Sequence, residues 1–309
     1  MPLCVTFLGT SGAVPTVGRN TAGIFIAREG ENLLFDCGEG TQRQMMRFGT
    51  GFTVSQLFVT HTHGDHVLGI PGLVQTWDFQ DRDEPLTIHV PQGRRRKMHT
   101  LVHSLGNDPD FPVRINEVAA GDVAYRAEEY EVRAFDADHD TNAVGYALVE
   151  DDRKGRFDRE RAEELGVPVG PKFSKLHEGE PVELEDGTVV EPDQVVGEPR
   201  PGRSVVYTGD SRPTVETVEV ADEPDLLIHD GTFADDRADR ASKTAHSTAR
   251  GAARIATEAN AKRLALVGIS SRYAGDVSDH LAEAREAFDG DVFVPDDGDD
   301  LEIPYPDAE

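Results

Sequence analysis

His61-Thr62-His63-Gly64-Asp65-His66 follows the short apolar run Leu57-Phe58-Val59-Thr60, and its reading decides how the rest of the chain is interpreted. A β-strand ending at Thr60 empties into a loop with three imidazoles and a carboxylate within six residues, a cluster too polar for a packed core. Neutral imidazole and carboxylate are the donors that suit zinc and neighbouring first-row cations. Residues two apart on an extended segment point the same way, so His61 and His63 can close on one ion while Asp65 and His66 turn toward another. The loop is expected to be a metal site with room for two adjacent ions. A polar loop that is merely rich in histidine would explain neither the spacing nor the strand before it.

The pattern His-x-His-x-Asp-His after a strand resembles the metallo-β-lactamase superfamily. That resemblance implies an α/β fold, an αββα sandwich with a one- or two-metal hydrolytic site at its edge. The six residues alone reach no further than the superfamily.

At 309 residues with 38% hydrophobic content, the chain can form one large sandwich or two smaller domains around a buried core. No apolar run approaches the length of a membrane span, and the start, Met1 to Phe7, has no basic region before its apolar residues. It reads as a first strand, and the expectation is a cytoplasmic protein with no membrane partner. Cys4 and Cys37 are too few for a disulfide framework and read as small buried thiols.

The net charge is −27 with a pI near 4.7, and six of the 31 basic residues are lysine. Such a surface repels itself at low ionic strength and suits concentrated salt, where charges are screened over a few ångströms. A halophilic, archaeal source is expected. Recurrent apolar strand and helix patterns exclude an acidic disordered protein. Only Asp296 to Asp300, and onward to Glu309, reads as a solvated acidic tail.

Along the chain, residues 5–12 read as a strand entering a glycine turn, and 22–27 with 31–36 as a hairpin. Asp36 then reads either as a turn or capping acid or as an acceptor that orients a metal-bound histidine. Strands are expected near 86–90, 130–136 and 144–149, with His139 in a polar loop between the last two. Arg94-Arg95-Arg96-Lys97 either meets phosphate or forms a solvated face. Residues 151–202 hold six prolines and seven glycines with few apolar residues at regular spacing, and read as an arm outside the core. From Arg153 to Lys175 that arm has seven basic residues against four acidic. Strands resume at 204–207 and 225–230, each running into a carboxylate, Asp210 and Asp230. A helix follows from Ser247 to Asn260, with Ser247 or Thr248 as its N-cap, and a strand at 263–267.

With these segments in view the chain resembles the tRNase Z family, endonucleases that remove 3′ trailers from precursor tRNA. The resemblance rests on Phe7-Leu8-Gly9-Thr10-Ser11-Gly12, residues 35–42 (FDCGEGTQ), the metal motif, His139 with Gly145-Tyr146, Gly170-Pro171, Tyr207-Thr208-Gly209-Asp210, His246-Ser247-Thr248 and Ser270-Ser271-Arg272-Tyr273. These occur in family order over nearly the whole chain. The resemblance implies a sandwich built from residues 1–150 and 203–309, with 151–202 inserted as a protruding substrate-binding arm.

It implies one zinc at His61, His63 and His139, and a second at Asp65 and His66, with Asp210 bridging the two. Asp65 would act as general base, and His246, oriented by Asp230 where the family more often has glutamate, would serve the leaving 3′ oxygen. Substrate contacts would fall on Gly170, Pro171, Lys172 and Lys175 of the arm and on Arg272. The implied partner is precursor tRNA, the implied products are a tRNA 3′-hydroxyl and a 5′-phosphorylated trailer, and the implied assembly is a homodimer. His89, His99, His103, His177, His229 and His280 lack a convergent setting and read as structural or exposed.

One departure stands out. Where the family has a final histidine completing the second zinc site, this chain has Gly268, which offers no side-chain donor. Two other readings therefore stay open beside the tRNA 3′ endonuclease: another binuclear-metal phosphodiesterase of the superfamily, and a tRNA-binding protein without catalysis.

Overall fold

Alternation along strand Leu3–Gly9 sends Leu3, Val5 and Phe7 to one face of a sheet and Leu8 to the other. The same arithmetic on thirteen further strands gives two seven-stranded sheets in the computed structural model, which describes residues 2–106 and 108–307. Met1, and Glu309 at the end of the expected tail, lie outside the described residues. The first sheet runs Asp300–Glu302, Leu3–Gly9, Gly23–Arg28, Glu31–Phe35, Gln56–Phe58, Leu86–Pro91, Val113–Val118. The second runs Asp291–Phe293, Arg263–Val267, Leu226–Asp230, Ser204–Tyr207, Val144–Glu150, Tyr130–Asp136, Val123–Arg126.

The inner faces pack together through Phe7, Ile24, Phe35, Phe58, Tyr146, Val205 and Ile228, among others. The outer face of the first sheet is covered by Met45, Leu73, Trp77 and Met98, which project from helices. The outer face of the second is covered by helix Ala249–Glu258, whose Ala249, Ala252, Ala253 and Ala256 are small enough to seat it closely. Its N-cap is Thr248, whose hydroxyl accepts from Gly251 N. The architecture is the expected αββα sandwich.

Parallel pairing decides where the chemistry goes. Glu31–Phe35 is parallel to Gln56–Phe58, and Ser204–Tyr207, Leu226–Asp230 and Arg263–Val267 are mutually parallel in register. Parallel strands end side by side, so the loops after each of them gather at one edge, as ligand sites do in open α/β sheets.

Three expectations need correction. The metal loop is not excluded from the interior: His61 is fully buried and His66 is 1% exposed, because Thr60 and Asp36 supply hydrogen-bond partners to their Nδ1 atoms. The acidic tail is not solvated throughout. Asp300–Glu302 is an edge strand on Leu3–Gly9, and Ile303 is fully buried. Asp297 is half-buried; it accepts from Thr10 N and Oγ1 with one oxygen, and from Asn20 N and Gln44 Nε2 with the other. Burial pushes its carboxyl above the usual range. Cys37 is buried and its thiol is pushed up to about 12 by burial, whereas Cys4 is only half-buried.

The chain divides into one unit of Met1–Val149 with Arg203–Pro304 and a second of Glu150–Gly202 with Tyr305–Glu309. The second unit has a core of its own, formed by Ala162, Val167, Leu176, Val182, Val190 and Val195. No period was visible in sequence because Ala162 and Leu176 come from two short helices, Arg159–Glu164 and Pro171–His177, Val182 and Val190 from a two-stranded ribbon, and Val167 and Val195 from segments outside both. Its basic excess is largely neutralised on the spot. Arg153 and Arg200 pair with Asp307, Arg159 with Glu163 and Arg161 with Glu164.

Candidate metal centre

After strand Gln56–Phe58 the chain delivers His61 and His63, then turns into the short helix Gly64–Val67 that carries Asp65 and His66. His139 follows Tyr130–Asp136, and Asp210 follows Ser204–Tyr207. These segments meet at the shared edge. His61 Nε2 lies 3.0 Å from His63 Nδ1, and His139 Nε2 lies 3.2 Å from the same atom. A neutral imidazole has one donor and one acceptor nitrogen, so three nitrogens facing one point cannot satisfy each other. The outward nitrogens are already committed: His139 Nδ1 donates to Ala245 O at 2.9 Å, and His61 Nδ1 to Thr60 Oγ1 at 3.1 Å. The lone pairs therefore point inward.

His66 is fixed in the same way. Its Nδ1 donates to Asp36 Oδ2 at 2.7 Å, and Asp36 also accepts from Thr60 N, Thr60 Oγ1 and the Tyr207 hydroxyl. Of the two readings open for Asp36, the structure shows the orienting one, at a turn with φ of +56°. His66 Nε2 is left buried with no hydrogen-bond partner, 3.4 Å from Asp210 Oδ1 and 3.6 Å from Asp65 Oδ2.

Asp210 addresses both sides. Its Oδ2 is 3.8 Å from His61 Nε2 and 4.0 Å from His139 Nε2, while its Oδ1 faces His66. Donor atoms of His61, His63 and His139 lie within 4.8 Å of one another, as do those of His61, His66 and Asp210. Asp65 stands beside the second set, its Oδ2 accepting from Ala13 N at 2.8 Å. An orphaned buried nitrogen next to two carboxylates, and three converging lone pairs, are what a divalent cation completes. The residues fit a metal.

The electrostatics agree. Burial, with the neighbouring imidazoles, holds His61 well below its ordinary pKa, and burial does the same more mildly to His63, so both stay neutral as ligands must. Burial also works against a charged His66, but Asp210 and Asp36 outweigh it and drive its pKa well up. Burial likewise opposes ionisation of Asp210, and His66 overrides it and keeps the carboxyl well below its usual range. Positive charge is thus favoured between Asp210 and His66.

A third cluster, Asp210, Asp230 and His246, is organised by a hydrogen bond. His246 Nδ1 lies 2.8 Å from Asp230 Oδ2, and Asp230 further accepts from Ser211 N, Thr232 N and Thr232 Oγ1. Burial pulls the His246 pKa down, but the charge and hydrogen bond of Asp230, helped by Asp210, bring it up to about 9. The aspartate standing where the family favours glutamate therefore reaches its histidine.

Gly268 follows strand Arg263–Val267 with φ of +70°. A Cβ there would lie 3.4 Å from Thr232 Oγ1 and 3.9 Å from both Asp210 Oδ1 and Asp230 Oδ1. The position faces the centre and contributes nothing to it. Arg272 is exposed, its Nη1 donating to Ser270 Oγ. In the second unit Gly170 has a φ of +144° before helix Pro171–His177, Lys172 Nζ donates to Glu183 O, and Lys175 is exposed. Sequence reasoning missed Thr60, Tyr207, Ser211 and Thr232 as partners of the buried acids, and nothing in a lone sequence marks them.

Comparison with known proteins gives the following. Residues 3–153 match the family described as Anti-Pycsar protein Apyc1. A ribonuclease Z from Natronomonas pharaonis is 66% identical over 99% of this chain and 100% of its own length. The crystal structure of human tRNase Z, short form, superposes with a TM-score of 0.71 at 27% identity, covering 97% of this chain and 99% of that one. The metallo-β-lactamase fold protein YhfI from Bacillus subtilis shares the fold, with a TM-score of 0.70 at 19% identity over 98% and 100% of the two chains.

Proposed function

From the premise that the chain belongs to the ribonuclease Z family, we propose how its residues remove the 3′ trailer of precursor tRNA. The observation that carries the reading is Asp210, whose two oxygens face two separate donor groups while His246 Nδ1 stands 4.0 Å from one of them. His61, His63 and His139 would hold one divalent ion, and Asp65 and His66 a second, with Asp210 shared. Zinc is the ion this nitrogen-rich set suits. When bound, such ions supply Lewis acidity that lowers the pKa of a water and offsets charge gathering on the phosphate.

The chain's own groups do the rest. Asp36 and Ala245 O lock the tautomers of His66 and His139, so both rings present a lone pair without rearrangement. Asp65, whose Oδ2 accepts from Ala13 N and faces His66 Nε2, would receive the proton of the attacking water. His246, kept charged by Asp230, gives its proton to the departing tRNA 3′ oxygen. The phosphate then remains on the trailer.

No helix among the described residues is long and apolar enough to cross a membrane. The test is incubation of the purified chain with a precursor tRNA and zinc, with end-group analysis of both products. A tRNA 3′-hydroxyl and a 5′-phosphorylated trailer are expected. Binding without cleavage at any divalent ion would leave the non-catalytic reading standing.

A further inference from the structure

The Arg94–Lys97 run has no part in the chemistry above. It opens helix Arg95–Val102 and lines a cavity of about 710 Å³, together with Thr62 and Gly64 on either side of His63 and the apolar Leu68, Met98 and Leu101. Among the described residues only Arg95 of the four cations forms an ion pair, with Glu117 at 3.7 Å. Arg94 donates one bond to Thr141 Oγ1, and its Nε is buried with no partner. Lys97 donates two to Thr62 O and Oγ1 and retains a third hydrogen. The Arg96 side chain is exposed, with no ion pair or hydrogen bond among the described residues.

Arg94, Arg96 and Lys97 bring three positive charges to one cavity of a chain whose net charge is −27. Such a local concentration of charge attracts an outside anion. The same cavity has an apolar part, where Leu68 is 52% exposed. Phosphate beside a flat apolar body describes a nucleotide.

The polarity of the reaction selects which nucleotide. The leaving 3′ oxygen is served by His246, and the phosphorus departs with the trailer. The cavity takes residues flanking His63 and none from the segments carrying Asp230 and His246. We propose that it receives the first trailer nucleotide, with its base against Leu68, Met98 and Leu101 and its 3′ phosphate met by Arg94 and Arg96. The proposal rests on the tRNA-processing reading.

The test measures equilibrium binding of a 5′-phosphorylated trinucleotide, and of the same molecule with its first nucleotide abasic, to the full chain with zinc. The wild type should bind the intact form about five-fold more tightly than the abasic one. Leu68→Ser should abolish that preference, and Arg96→Gln should weaken both ligands alike. An unchanged preference in Leu68→Ser overturns the proposal, as does a change in its light-scattering mass, which would make this face a contact between copies. Cleavage by the wild type with no discrimination between the ligands sinks the pocket alone. Discrimination without cleavage upholds the pocket and sinks the catalytic reading.

Discussion

Asp210 Oδ1 lies 3.4 Å from His66 Nε2 while Asp210 Oδ2 lies 3.8 Å from His61 Nε2, so one carboxylate spans two groups of donors that never touch otherwise except through His61. Removing it takes a donor from both. Asp210→Ala should reduce bound zinc and lower kcat/KM on precursor tRNA by more than about 100-fold, exceeding what partners behind a metal ligand supply. Metal analysis beside cleavage kinetics checks this, and an Asp210→Ala chain that binds as much zinc as the unaltered one would refute the bridging role.

Gly268 faces Asp210 and Asp230 without a side chain to offer, and on the proposed reading leaves the second group one donor short. Gly268→His should bring the zinc content to two per chain and raise the cleavage rate. It should also lower the Tm of the metal-free protein, because a β-carbon at φ +70° costs roughly 1–3 kcal/mol. Two zinc ions in the unaltered chain, or an unchanged rate in the variant, would count against this account.

Asp230→Asn leaves His246 a hydrogen-bond acceptor but removes the charge that keeps it protonated. The loss should fall on kcat, by roughly 100-fold, the lower end of what a positioned acid contributes. KM for precursor tRNA should stay near its original value. A substrate with a leaving group that needs no proton, such as bis-p-nitrophenyl phosphate, should be hydrolysed almost as before; equal damage to both substrates would mean that Asp230 only maintains the fold.

Replacing residues 151–202 with a short glycine-serine linker is feasible, since a Cβ at Gly202 would come within 2.5 Å of Glu150 O. Precursor tRNA should bind more weakly, through loss of phosphate contacts from groups such as exposed Lys175, while hydrolysis of a small phosphodiester changes little. Binding through this unit should decline only gently in moderate salt, because salt also screens repulsion between RNA and a chain of charge −27. A steep fall from the lowest salt upward would contradict that.

His89 sits stacked on Phe58, its Nε2 donating to Gln56 Oε1 and its Nδ1 accepting from Asn116 Nδ2. Burial lowers its pKa to about 4. The unfolded chain takes up this proton near pH 6.5 and the folded one only near 4, so the stability is complete above 6.5 and drains away as pH falls through that interval. Denaturation midpoints between pH 7 and 4.5 should decline less in His89→Gln than in the wild type. Parallel curves would show that another group carries the acid sensitivity.

The sequence by itself pointed to the sandwich and to the His61–His66 loop as a candidate metal site. Period-two apolar runs fix which strands are half-buried, and imidazoles two apart before an Asp-His pair have few uses besides metal. It also exposed the missing donor at Gly268. Tertiary structure alone decided the rest. His246 and Asp230 are sixteen positions apart, and Asp36 and Tyr207 are 171 apart; the first pair joins a strand end to a loop between two helices and the second joins the two sheets, which only the folded chain brings together. The core of residues 151–202 was invisible because its apolar residues share no single period. Asp297 looked solvated for the same underlying reason, since a carboxylate is buried or exposed according to donors such as Thr10, Asn20 and Gln44, which only folding brings to it.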